Sequence, residues 1–99
     1  MSRAMVINTK DNVAVALEDL PVDAMVSVAT GERTISVQLT QGIPFGHKFA
    51  LQSIAKGQQI IKYGETIGRA SAPIVPGEHV HIHNVEGTRG RGDLGGGAQ

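Results

Sequence analysis

Val26-Ser27-Val28-Ala29 and Ile35-Ser36-Val37-Gln38-Leu39-Thr40 stand on either side of Thr30-Gly31-Glu32. In both runs apolar residues occupy every second position, the period that puts one face of a strand against a core and the other in water. Val13, Val15 and Leu17 alternate in the same way with Ala14, Ala16 and Glu18. Met5-Val6-Ile7 and Gln59-Ile60-Ile61-Lys62-Tyr63 are short and rich in residues that suit a pleated surface. Turn signals separate these runs at Lys10-Asp11-Asn12, Leu20-Pro21-Val22-Asp23, Gln41-Gly42-Ile43-Pro44, Lys56-Gly57 and Val75-Pro76-Gly77-Glu78. A turn roughly every ten residues predicts a small all-β domain, with at most one or two short helical turns, at 50–55 or 65–70. No internal repeat is evident.

The length of 99 residues allows one domain. Residues 1–86 form its body, and residues 87–99, which hold six of the thirteen glycines, are expected to be a flexible tail. Arg91-Gly92-Asp93 in that tail is read as a chance match to an integrin ligand. With only three aromatic residues, Phe45, Phe49 and Tyr63, the core must be built from Val, Ile, Leu and Ala. Nine basic side chains balance nine acidic ones, which argues against a nucleic-acid binder. Cysteine is absent, so thiolate chemistry and disulfides are excluded. No apolar run approaches the length of a membrane span and the first residues lack a signal-peptide pattern, so a cytoplasmic location is expected.

The chemistry-bearing residues fall in three places. His79, His81 and His83 recur at every second position. On a strand they would project from one face at steps of about 6.6 Å, with Val80 and Ile82 turned to the core. Two such imidazoles, His81 and His83, can converge on one metal ion, or the same face can serve only to dock a partner. The second place is Gly46-His47-Lys48, where an imidazole able to exchange a proton near neutral pH stands beside an ammonium able to neutralise a carboxylate. The third is Lys62-Tyr63-Gly64-Glu65-Thr66-Ile67-Gly68-Arg69, a polar rim between two glycines that lacks the Gly-Lys-Ser/Thr ending of a phosphate loop.

Asp11-Asn12-Val13-Ala14-Val15-Ala16-Leu17, Gly46-His47-Lys48-Phe49-Ala50-Leu51, Ile61-Lys62-Tyr63-Gly64 with Ile67-Gly68-Arg69-Ala70, and Gly77-Glu78-His79-Val80-His81-Ile82-His83-Asn84 follow one another in that order. Together they resemble the N-terminal domain of the altronate dehydratase (altronate hydrolase) and galactarate dehydratase family. The resemblance spans about residues 5–85 and implies a SAF-type domain of β-clip fold. It departs from the family at Pro21-Val22-Asp23-Ala24, where a glycine is usual, and in lacking the much larger region that follows the histidine segment in full-length members.

The resemblance implies a hydro-lyase that removes water from a sugar acid to give a 2-keto-3-deoxy acid, with iron or manganese as the associated divalent metal. A chain of this size resembles the small subunit of two-subunit relatives, including the sulfolactate sulfo-lyase type. It is therefore expected to be inactive alone and to work with a separate large dehydratase subunit. On this reading His47, His81 and His83 are the expected catalytic residues, with His81 and His83 also as metal ligands. Lys48, Lys62, Tyr63 and Asn84 are the expected contacts to the sugar-acid substrate. His79 is the least constrained of the four histidines. The alternative is a module of the same fold that binds a sugar acid or acts as a scaffold without doing chemistry. Exposed strand edges leave room for a homo-oligomer.

Overall fold

Four segments of the chain share one local geometry, and the fold is built around them. In a computed structural model, which describes residues 3–87, the amide of Ala24 donates to Pro21 O, His47 to Pro44 O, Gln58 to Ala55 O and Glu78 to Val75 O. The third residue of each turn has positive φ: Asp23 at 70°, Gly46 at 83°, Gly57 at 87° and Gly77 at 84°. This is the type II turn, which asks for glycine at that position. Three copies have it, and the copy that departs from the family pattern uses Asp23, a residue whose short polar side chain tolerates the left-handed region. The residue before each turn makes an isolated bridge to its counterpart in another copy, Leu20 with Ile43 and Ile54 with Ile74. The chain therefore contains a short repeated turn that the sequence reading does not detect.

Nine strands run between these turns: β1 (Ala4–Met5), β2 (Val13–Ala16), β3 (Met25–Thr30), β4 (Arg33–Gln38), β5 (Lys48–Ala50), β6 (Gln59–Lys62), β7 (Glu65–Ala70), β8 (His79–Val80) and β9 (Val85–Glu86). All pairings are antiparallel, in three sheets ordered β1-β2-β5-β8, β3-β4 and β6-β7-β9. No helix occurs among the described residues, so the all-β expectation holds. Residues 65–70 form β7 rather than a helical turn. The tail beyond Gly87 lies outside the described residues.

The four-stranded sheet carries a hydrophobic cluster on each face. Ala14, Ala16, Phe49 and Leu51 pack with Val26, Val28, Val37, Leu39 and Ile43. Val13, Ala50 and Val80 pack with Ile54, Ile60, Ala70 and Ile74. This corrects the simple alternation expected for β2. Ala14 and Ala16 are as buried as Val13, because the strand is a middle layer, while Leu17 lies past the strand and is exposed. In the β3–β4 hairpin the alternation holds: Val26 and Val37 pair across the buried face, and the Ser27 and Ser36 hydroxyls meet at 3.0 Å on the open one.

Two buried polar residues tie the β6–β7 hairpin to the central sheet. The Asp11 carboxylate accepts the amides of Asn8, Tyr63 and Gly64. The Asn12 side chain accepts from Ile61 N and donates to Gln59 O. Tyr63 (φ 60°) and Gly64 (φ 73°) form the two-residue turn between Lys62 and Glu65. Positive φ at both central residues is the type I′ geometry that suits the twist of a hairpin.

Candidate functional site: a cluster of four histidines

The histidine segment is a strand for two residues only. Past Val80 the chain turns, and residues 81–84 form a tight loop. Ile82, expected to face the core, is 84% exposed at the tip of this loop. Asn84 holds the loop in shape: its Oδ1 accepts the His81 amide at 3.0 Å and its Nδ2 donates to His79 O at 2.8 Å. With 3% exposure and both ends of its amide on the backbone, Asn84 fixes the loop and is not placed to meet a substrate hydroxyl.

The imidazoles nonetheless converge, because the strand beside β8 brings the fourth. Lys48 pairs with Val80 and Phe49 with His79 in the β5–β8 ladder. One step further in that register His47 stands opposite His81, and their ring centroids are 4.4 Å apart. The His47 Nδ1 lies 2.9 Å from His79 Nε2, a hydrogen bond in which one ring donates and the other accepts. The rings of His79 and His81 are 5.4 Å apart. A ligand nitrogen from each of His47, His79 and His81 lies within 4.8 Å of the other two. The His83 ring lies tilted beside His79 at 5.3 Å but stands outside that set. The triad is thus not the His81–His83 pair expected from a continuous strand, since the turn after Val80 carries His83 away. His79, the residue least constrained by sequence, is one of its three members.

Three half-buried imidazole nitrogens without a carboxylate or thiolate are a donor set for a borderline divalent ion such as Fe(II) or Zn(II). Manganese prefers oxygen ligands. The electrostatics keep the donors available. Burial first, then the imidazoles of His47, His83 and His81 and the Lys48 ammonium, hold His79 below the usual histidine value. Burial, then His47, Lys48 and His83, act on His81 in the same direction. Neutral imidazole is the form that binds a metal or accepts a proton.

Beside the triad lies a shallow pocket of about 250 Å³ walled by Ile67, Ile82 and Val85, with Lys48 and His81 as its polar members. Burial, and then the neighbouring charge of Lys62, depress the Lys48 pKa. Lys62 therefore belongs to the same electrostatic neighbourhood, whereas Tyr63 is exposed at the hairpin tip beneath the Lys62 ammonium, 4.9 Å from its ring centre, and does not line the pocket. Arg69 is paired with Glu86 at 3.2 Å and anchors β9. Sequence reasoning misses Gln41, whose Oε1 accepts the His79 amide, and the three apolar walls.

Residues 2–88 match the family described as the altronate/galactarate dehydratase SAF domain. The chain belongs to that family. It is 53% identical over 79 residues to altronate dehydratase of Escherichia coli K12, and 42% identical over 84 residues to that of Bacillus subtilis 168. These alignments cover 80% and 81% of the SAF-domain chain but 15% of each relative, in its N-terminal region. The SAF-domain chain is also 43% identical over 58 residues to the (2R)-sulfolactate sulfo-lyase subunit alpha of Chromohalobacter salexigens, covering 59% of itself and 62% of that subunit. No helix among the described residues is long and apolar enough to cross a membrane.

Proposed function

We propose that the chain is the small subunit of a sugar-acid dehydratase of the altronate/galactarate type, with a separate large chain supplying most of the active site. The convergence of His47, His79 and His81 within 4.8 Å carries this reading. It gives a family of lyases a place to hold a borderline divalent ion, and the resemblance to the dehydratases favours iron. Such an ion, when bound, would stabilise the enolate-like charge that forms when the proton beside the substrate carboxylate is removed.

The chain's own residues bind and orient. The Lys48 ammonium at the pocket mouth is placed to receive the substrate carboxylate, and Lys62 adds positive potential there. His83, outside the triad and exposed, is assigned the contact to a substrate hydroxyl. Among the described residues, no carboxylate belongs to the triad or lines the pocket. The general base that removes the proton beside the carboxylate is therefore assigned to the large chain.

Titration of the metal-free chain with Fe(II) under anaerobic conditions, followed by turnover of altronate and galactarate with the large chain added, tests the reading. His47→Ala, His79→Ala and His81→Ala should each abolish tight binding, while His83→Ala should keep the metal and lose turnover. Failure of the wild-type chain to bind any divalent ion would overturn the metal site, and full activity without the large chain would overturn the division of labour.

A second reading keeps the two-chain arrangement and changes the substrate. The match covers 62% of a sulfo-lyase alpha subunit against 15% of a dehydratase, which favours a subunit of that type. Sulfolactate in the same assay separates the two.

A further inference from the structure

We propose that Ile67, Ile82 and Val85 form the seat on which the large lyase chain docks, so that this chain closes the histidine pocket. The inference rests on the two-chain reading above and adds where the partner sits.

An exposed isoleucine alone signifies nothing. Here three aliphatic side chains from β7, the 81–84 loop and β9 wall one side of one pocket, whose other side is Lys48 and His81. Ile82 is the most exposed large hydrophobic residue among those described, and it is held out rather than left loose. The Asn84 amide fixes the loop beneath it from both sides. A rigid apolar patch around a polar centre is the form of a protein-binding surface.

The occupant follows from where the chain leaves this surface. In the altronate dehydratases the matched region is N-terminal and 15% of the length, so most of the polypeptide runs on from the end equivalent to β9. Here β9 is Val85–Glu86, pinned to β7 by the Arg69–Glu86 pair, and Val85 is itself a wall of the pocket. The body of such an enzyme therefore departs at the lip of the histidine site, and a separate large chain with the same body meets the same lip. Charge agrees. The polar groups of the pocket are basic and no carboxylate among the described residues lines it, which suits a partner that presents carboxylates above an apolar ridge.

The test is copurification and calorimetry of the full chain with a large lyase chain of the altronate/galactarate dehydratase type that lacks this domain. Ile82→Glu and Ile67→Glu should each weaken association by about tenfold or more, with the Fe(II) content of the small chain unchanged. Met25→Glu, on the exposed face of β3, should bind as the wild type does. If the wild type associates and both isoleucine variants bind equally well, the seat is wrong and the two-chain reading stands. A wild-type chain that does not associate removes that reading, and the seat with it. If Ile82→Glu instead dissolves a homodimer of the small chain, the occupant is a second copy and the proposal is overturned.

Discussion

Gly57 and Gly77 occupy the same position of the same turn, yet alanine should cost far more at the second. Both have φ near +85°, so both substitutions force an L-residue into the left-handed region, at about 1–2 kcal/mol. Part of that is offset by the stiffer unfolded chain, about 0.4–1 kcal/mol. At Gly57 no atom lies within 4 Å of the added Cβ, so the conformational cost is the whole effect. At Gly77 the Cβ would collide with Gln38 O and stand 3.0 Å from Gln38 C and 3.1 Å from Leu39 Cα. All three are backbone atoms, which cannot rotate away. The segment after β4 must retreat, and the bonds from Thr40 N to Gly77 O and from Gly77 N to Ala50 O go with it. Two such bonds are worth about 1–3 kcal/mol net. Gly77→Ala should therefore lose at least about 3 kcal/mol where Gly57→Ala loses about 1, out of the 5–15 kcal/mol typical of a domain. Urea unfolding followed by far-ultraviolet circular dichroism measures both. Because His79 lies two residues beyond Gly77, that variant should also lose metal affinity at urea concentrations where it remains folded. Equal midpoints for the two variants would refute the close approach of the Gly77 turn to β4, and with it the account of how His79 is positioned.

Asn84→Leu should leave the His81 amide and the His79 carbonyl without partners, costing about 1–3 kcal/mol for each buried group. Metal affinity should fall about 10–100-fold, as when other outer contacts to a ligand are lost. Isothermal titration reads the affinity. Asp11→Ala should destabilise by about 1.5–3 kcal/mol or more, because a carboxylate accepting three amides is replaced by none. Hydrogen exchange at Tyr63 and Gly64 should rise first. For the metal-free chain, the lowered pKa values of His79 and His81 mean that the unfolded state binds more protons in the window just below the usual histidine value of about 6.5. Stability should be undiminished above that value and decline as pH falls through it, which thermal melts between neutral and acidic pH would show. His79→Gln should flatten the profile.

The strands were legible where one face meets the core and the other meets water. Val26, Val28, Val37 and Leu39 are buried as their period predicts. β2 was legible as a strand but not in its facing, because a middle layer buries both sides and alanine at 14 and 16 does not announce burial. Asp11-Asn12 reads as a turn signal from composition, and only long-range contacts show that both side chains are consumed in holding another hairpin. The repeated turn escaped notice because its copies share little more than an aliphatic residue and, in three of four cases, a glycine three places on. The histidines were legible as a cluster, but its geometry was not. Period two holds only while a strand continues, and nothing local in His79-Val80-His81-Ile82-His83-Asn84 states that the ladder ends at Val80.

The repeated turn also explains why the site is where it is. Each type II turn leads into a strand one residue past its end, so the copy at 44–47 closes on His47 and opens β5 at Lys48, and the copy at 75–78 closes on Glu78 and opens β8 at His79. β5 and β8 are antiparallel neighbours, so the two turns lie at opposite ends of the pair. Cross-strand register then places His47 against His81, the first residue past the end of β8. The strands that follow these two turns thus bring imidazoles to one point from opposite chain directions, and Asn84 curls the chain after Val80 and keeps His81 in reach. The arrangement is anchored in backbone hydrogen bonds and two hydrophobic clusters rather than in the histidines themselves. Removing one imidazole should therefore abolish ligand binding while leaving the β5–β8 ladder and the thermal midpoint of the metal-free chain almost unchanged. A histidine variant that unfolds the domain would show instead that the cluster holds the fold together.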